Sequence, residues 1–127
     1  MATQFEKHYT RDEARALLPD VKQWLGRLAH LRGEVENCEQ RLAGLIAPGH
    51  DLGGGLVNVW VRRLVDMQDL LMEFFRREIQ IKDLDRGLID FPSFIGAKEV
   101  FLCWEQGEED IEFWHDLDSG YAGRERL

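Results

Sequence analysis

The feature that most constrains this chain is a stripe of apolar residues that keeps helical spacing for about nine turns. Ala14, Leu17, Val21, Trp24, Leu28, Leu31, Val35, Cys38, Leu42 and Leu45 follow one another in alternating steps of three and four. That heptad-like pattern commits one face of a long helix to a partner along its whole length. Just before it, Thr10-Arg11-Asp12-Glu13 has capping-box spacing, in which a threonine hydroxyl and a glutamate carboxylate each satisfy an orphan amide at a helix start. Pro19 lacks a backbone donor and clashes one turn back, so a kink or a break is expected near Leu18, followed by helix to about Ile46.

Pro48-Gly49-His50-Asp51-Leu52-Gly53-Gly54-Gly55 ends the stripe and reads as a flexible reversing turn. Its glycines do not read as a phosphate loop, since no Lys-Ser/Thr follows and no strand precedes. The stripe returns as Val57, Trp60, Leu64, Met67, Leu71, Phe74, Glu78 and Ile81, with a second line at Val61, Val65, Phe75 and Ile79. A second helix is therefore expected, ending at Gly87, and the two should form an antiparallel, coiled-coil-like hairpin over about residues 10–86. The apolar face is wider than one seam requires, which points to further contacts from the C-terminal segment or from a second subunit.

Beyond Gly87 the period changes from helical to alternating. Residues 99–105 and 110–115 flank Gln106-Gly107-Glu108-Glu109 as a β-hairpin, and Leu88-Ile89-Asp90-Phe91 adds a third strand ending before Pro92. Val100, Leu102 and Trp104 alternate with Phe101 and Cys103, so both faces of the first hairpin strand are apolar and both need cover. The expected class is α+β, mainly α: a helical hairpin, then a small antiparallel β-hairpin or three-stranded sheet over about 87–127, all in one domain of 127 residues.

Charge narrows the function. Residues 1–85 carry 12 basic and 14 acidic side chains (net -2), residues 86–127 carry 4 and 10 (net -6), and together they give -8. Arg62-Arg63 and Arg76-Arg77 are interleaved with acids, which argues against nucleic-acid binding. No stretch approaches the length of a membrane span, and Met1 to Lys7 lack an apolar leader core. Cys38 and Cys103 lie far apart without CxxC spacing, so a reducing, cytoplasmic setting is expected.

Two groups of residues could carry chemistry. His115, with Asp116 and Asp118 just after it, offers an imidazole and two carboxylates that suit a divalent metal such as zinc, manganese or iron, or general acid–base work. Glu78 stands where the helical stripe asks for an apolar side chain, so it must meet a cation, a donor or water. Glu78, Asp90 and Arg124 are therefore candidate ligand-binding residues, converging with His115 if the second helix meets the sheet there. The plainer reading is that His115 is a satisfied structural histidine and that Glu78 leans to the edge of its stripe or pairs with Arg124. No GxSxG or catalytic-cysteine pattern supports nucleophilic hydrolysis.

The stretches Tyr9-Thr10-Arg11-Asp12-Glu13-Ala14 through Leu17-Leu18-Pro19, Lys82 to Pro92, Leu102-Cys103-Trp104, Trp114-His115-Asp116-Leu117 and Gly120-Tyr121-Ala122-Gly123-Arg124 together resemble a bacterial family catalogued as domain of unknown function 2203. The resemblance implies a small, mostly helical bacterial protein and supplies no activity, cofactor or catalytic residue. Two functional expectations stand. One is a non-enzymatic interaction or structural protein that forms a homodimer through its helical hairpin. The other is a metal- or small-ligand-binding protein, or a metal-dependent enzyme, that uses the Asp/His cluster of the C-terminal segment.

Overall fold

A computed structural model describes residues 2–46 and 54–127. Helix α1 spans Arg11–Ile46 and helix α2 spans Gly54–Phe75. Strands follow as β1 (Gln80–Asp83), β2 (Leu88–Ile95), β3 (Lys98–Glu105), β4 (Phe113–Asp116) and β5 (Glu125–Arg126), with a short 3-10 turn at Tyr121–Gly123. The strands pair antiparallel in sequence order, a five-stranded meander. The class is α+β and mainly α. Two compact units are distinguishable: the residues up to Gln23 together with Glu73–Leu127, and Trp24–Met72.

The capping box forms as its spacing predicts. Glu13 N donates to Thr10 Oγ1 at 3.1 Å and Thr10 N donates to Glu13 Oε1 at 2.9 Å. Helix α1 then runs unbroken through Pro19. One lost hydrogen bond is outweighed by burial of Ala14, Leu18 and Val21 around it. The buried line continues as Leu25, Leu28, Leu31, Val35 and Cys38, while Leu17 and Trp24 are only half-buried. Ala14, Val21 and Leu28 thus lie in the seam where the heptad reading places them, while at the alternate positions Leu18 and Leu25 replace Leu17 and Trp24. Within the Trp24–Met72 unit, Arg63 Nε on α2 meets Glu34 Oε2 on α1 at 2.8 Å.

The expected glycine turn lies largely outside the described residues, but Gly54 and Gly55 are helical and open α2. The more instructive difference is where α2 ends. It stops at Phe75 rather than running to Arg86. Ile79 N donates to Phe74 O at 3.1 Å and Glu78 N donates to Phe75 O at 3.0 Å, the paired reversed bonds of a Schellman terminus. Glu78 holds the left-handed position, φ 57, that glycine usually takes, and the buried Phe74 and Ile79 supply the accompanying apolar pair. Gly87, φ 65, instead closes the turn between β1 and β2, with Gln80↔Asp90 and Ile81↔Ile89 in register.

Strand β2 also passes through Pro92, where the sequence predicts an end. β1 pairs β2 only as far as Asp90, so Pro92 faces an outer edge beyond it. A residue's N–H and C=O point to the same side of a strand, and the Pro92 carbonyl accepts Tyr9 N at 2.7 Å on that outer side. The missing proline donor therefore costs the β2–β3 ladder nothing. β2 and β3 turn over through Gly96 (φ 61) and Ala97, a two-residue hairpin with glycine in the first position. The hairpin read between residues 99 and 115 forms with a longer connection: β4 begins at Phe113, opposite Cys103, and Asp110 to Glu112 stay out of the ladder. As expected, the centre of the sheet is buried on both faces, from Leu88 to Ser93 and from Val100 to Trp104.

Candidate functional site

Side chains directly opposite on paired strands share a face, and residues two apart on one strand share it too. Asp90 on β2 is opposite Cys103 on β3, and His115 on β4 is opposite Phe101, two residues from Cys103. Three neighbouring strands thus deliver a carboxylate, a thiol and an imidazole to one spot at the middle of the sheet. Their ligating atoms lie within 4.8 Å of one another, and the exposures are 2%, 0% and 2% for Asp90, Cys103 and His115.

Hydrogen bonding fixes the imidazole. His115 Nδ1 lies 2.7 Å from the backbone carbonyl of Asp116, which can only accept, so Nδ1 carries a hydrogen. His115 Nε2 lies 2.9 Å from Asp90 Oδ2. Burial pulls the His115 pKa down, but the bonds to Asp90 and Asp116 and the charge of Asp90 outweigh it and hold it above the ordinary value. His115 and Asp90 form a buried hydrogen-bonded pair. Asp90 Oδ1 is buried and accepts no hydrogen bond of ordinary geometry among the described residues. Burial, then the charge of Asp90, pushes the Cys103 thiol far above its usual range. Cys103, His115 and Asp90 do not make a nucleophilic triad. Both imidazole nitrogens are engaged elsewhere, so neither takes the thiol proton, and the sulfur is sealed from any substrate.

The other candidates occupy different places. Asp116 contributes to the cluster only through its main chain. Its carboxylate meets Lys98 Nζ at 2.5 Å, and both line an open surface cleft of about 460 Å³ with Glu99, Leu117, Asp118 and Ser119. Asp118 is exposed in the turn after β4. Arg124 is 92% removed from solvent, as its side chain keeps 8% exposure, and it donates from Nη2 to Glu108 Oε2 at 2.5 Å while lying 3.8 Å over the Phe113 ring. Glu108 also accepts Glu105 N at 2.7 Å and, through its carbonyl, Trp104 Nε1 at 2.9 Å, so Arg124 ties the chain after β4 to the end of β3.

Glu78 meets donors, but they are main-chain amides: its Oε1 accepts Glu6 N at 2.9 Å and Lys7 N at 2.7 Å. Glu99 does the same one step earlier, accepting Gln4 N at 2.8 Å and Phe5 N at 3.0 Å, and also meets His8 Nε2 at 2.7 Å. Burial raises Glu99, but the bonds from Gln4, His8 and Phe5 prevail and hold it below the usual carboxylate range. Tyr9 continues the line, bonding Pro92 O through its N–H, Ser93 Oγ through its carbonyl and Arg77 O through its hydroxyl. Cys103 and this pinned segment were not legible in the sequence. The cysteine reads as one more apolar strand residue until the register sets it opposite Asp90, and main-chain acceptors leave no residue pattern.

The family model described as "Uncharacterized conserved protein (DUF2203)" matches residues 7–127, and the chain belongs to that family. No curated protein and no solved structure matches it. No helix among the described residues is long and apolar enough to cross a membrane.

Proposed function

For this member of a family whose description carries no activity, we propose a non-enzymatic interaction or structural role, exercised as a homodimer formed through the helical hairpin. The observation that carries this reading is the outer face of α2. Val61, Leu64, Val65 and Leu71, all within the Trp24–Met72 unit, are exposed at 45%, 39%, 48% and 41%. At 100° per residue they fall within about 120° of one another, with Gln68 the polar residue among them. Arg62, Asp66, Asp69 and Glu73 lie outside this arc. Exposed apolar side chains gathered on one helix mark a contact surface.

A second copy is the occupant the chemistry favours. A two-fold interface requires a patch that fits itself, and an apolar stripe without formal charge meets no repulsion from its own image. Two hairpins joined this way make a four-helix arrangement. The free, buried thiols of Cys38 and Cys103 accord with a reducing bacterial cytoplasm as the setting. Light scattering across micromolar concentrations tests the reading. A dimer that Leu64→Glu converts to folded monomer supports it, and a wild-type chain that stays monomeric overturns it.

A further inference from the structure

We propose that Asp90, Cys103 and His115 form a buried site for one divalent transition-metal ion, of the zinc class. The cluster has the donor set for it: imidazole nitrogen, thiolate sulfur and carboxylate oxygen, which a borderline ion accepts together and which magnesium or calcium does not favour. One donor comes from each of three adjacent strands, so the hydrogen-bonded ladder sets the separations.

Three further features fit. The carbonyl of Asp116 holds the hydrogen on Nδ1, so that deprotonated His115 presents its lone pair from Nε2 toward Asp90 and Cys103, the orienting arrangement common to metal-bound histidines. Asp90 Oδ1 is buried beside the cluster and accepts no hydrogen bond of ordinary geometry among the described residues, only the weak Cys103 thiol being at hand; a cation is the stronger partner for it. Finally, imidazole, carboxylate and thiolate together carry two negative charges, so a divalent ion leaves the buried centre neutral. Across a tetrahedral zinc two first-row donors stand about 3.3 Å apart. The 2.9 Å gap between His115 and Asp90 needs to widen by only a few tenths of an ångström. Three side chains fill three of the four tetrahedral positions. Because the ligands are sealed, the ion loads as the chain folds.

The test uses untagged full-length chain, unfolded under reducing conditions and refolded with one equivalent of cobalt(II). The expected result is a thiolate-to-cobalt charge-transfer band with the strong visible bands of a tetrahedral site, both displaced by one equivalent of zinc(II). Cys38→Ala keeps these bands and Cys103→Ala loses the charge-transfer band, with circular dichroism showing that each has refolded. Where Cys103→Ala fails to refold, Cys103→Ser replaces it, since a serine gives no such band. Refolded wild type without a cobalt–thiolate band overturns the proposal, as does a band that survives the loss of Cys103.

Discussion

The sheet-bearing unit and the helical unit of this protein solve opposite problems. In the sheet, a carboxylate and an imidazole lie almost wholly out of water and are held by each other, while glutamates receive the amides of the first residues one by one. In Trp24–Met72, the buried line Leu25, Leu28, Leu31, Val35 and Cys38 belongs to α1, whereas Val61, Leu64 and Val65 of α2 face water. The sheet-bearing unit holds its buried polar groups in specific pairs, with Asp90 Oδ1 an exception, and the helix has apolar surface to spare. The first arrangement fixes a single geometry, and the second leaves energy for association.

The comparison breaks most sharply at the buried pair. His115→Ala leaves the buried Asp90 carboxylate without its partner and is expected to cost about 3–5 kcal/mol in urea unfolding. Replacing both at once, Asp90→Leu with His115→Phe, should recover most of that, because no uncompensated charge remains. Next is the contrast between the two leucines. Leu28→Ala, at a fully buried position, should cost about 2–5 kcal/mol, whereas Leu64→Ala should change monomer stability by under about 0.5 kcal/mol and show itself in the dimer equilibrium instead. Equal losses at the two sites would erase the distinction.

A gentler probe is pH. Glu99 is held below its ordinary value of 4.5 in the folded chain, so its contribution is complete above that value and is lost as pH falls through the folded pKa. Amide exchange, corrected for intrinsic rate, should show protection of Gln4 and Phe5 falling away in that acid window in wild type. Glu99→Gln should show weak protection there at every pH. A small effect is also expected at Arg63→Ala, which removes a part-exposed ion pair with Glu34 and should cost about 0.2–1 kcal/mol by thermal unfolding, shrinking with added salt.

Much of the fold was legible because it rests on local period. The Thr10–Glu13 box, the α1 stripe and the alternation at Val100–Trp104 all follow from spacing alone. What escaped depends on energies that spacing does not carry. Glu78 takes a left-handed conformation against its own preference because Phe74 and Ile79 close over the helix end and its carboxylate collects two amides. Pro92 continues a strand because its missing donor points to the edge. At the candidate site, His115 and Asp90 were each singled out, but their partnership with Cys103 exists only in the cross-strand register. The Asp116 role passed unseen because it is performed by a carbonyl, which every residue has.

The pinned segment from Gln4 to Tyr9 also bears on the order of events during synthesis. These residues leave the ribosome early, yet their acceptors at Glu78, Pro92 and Glu99 follow roughly 70 to 95 positions later. Until then the nascent chain can build α1 but has nowhere to seat what precedes it. The segment before α1 must wait for β2 and β3 before it can dock, and its docking covers the outer edge of β2 at Pro92.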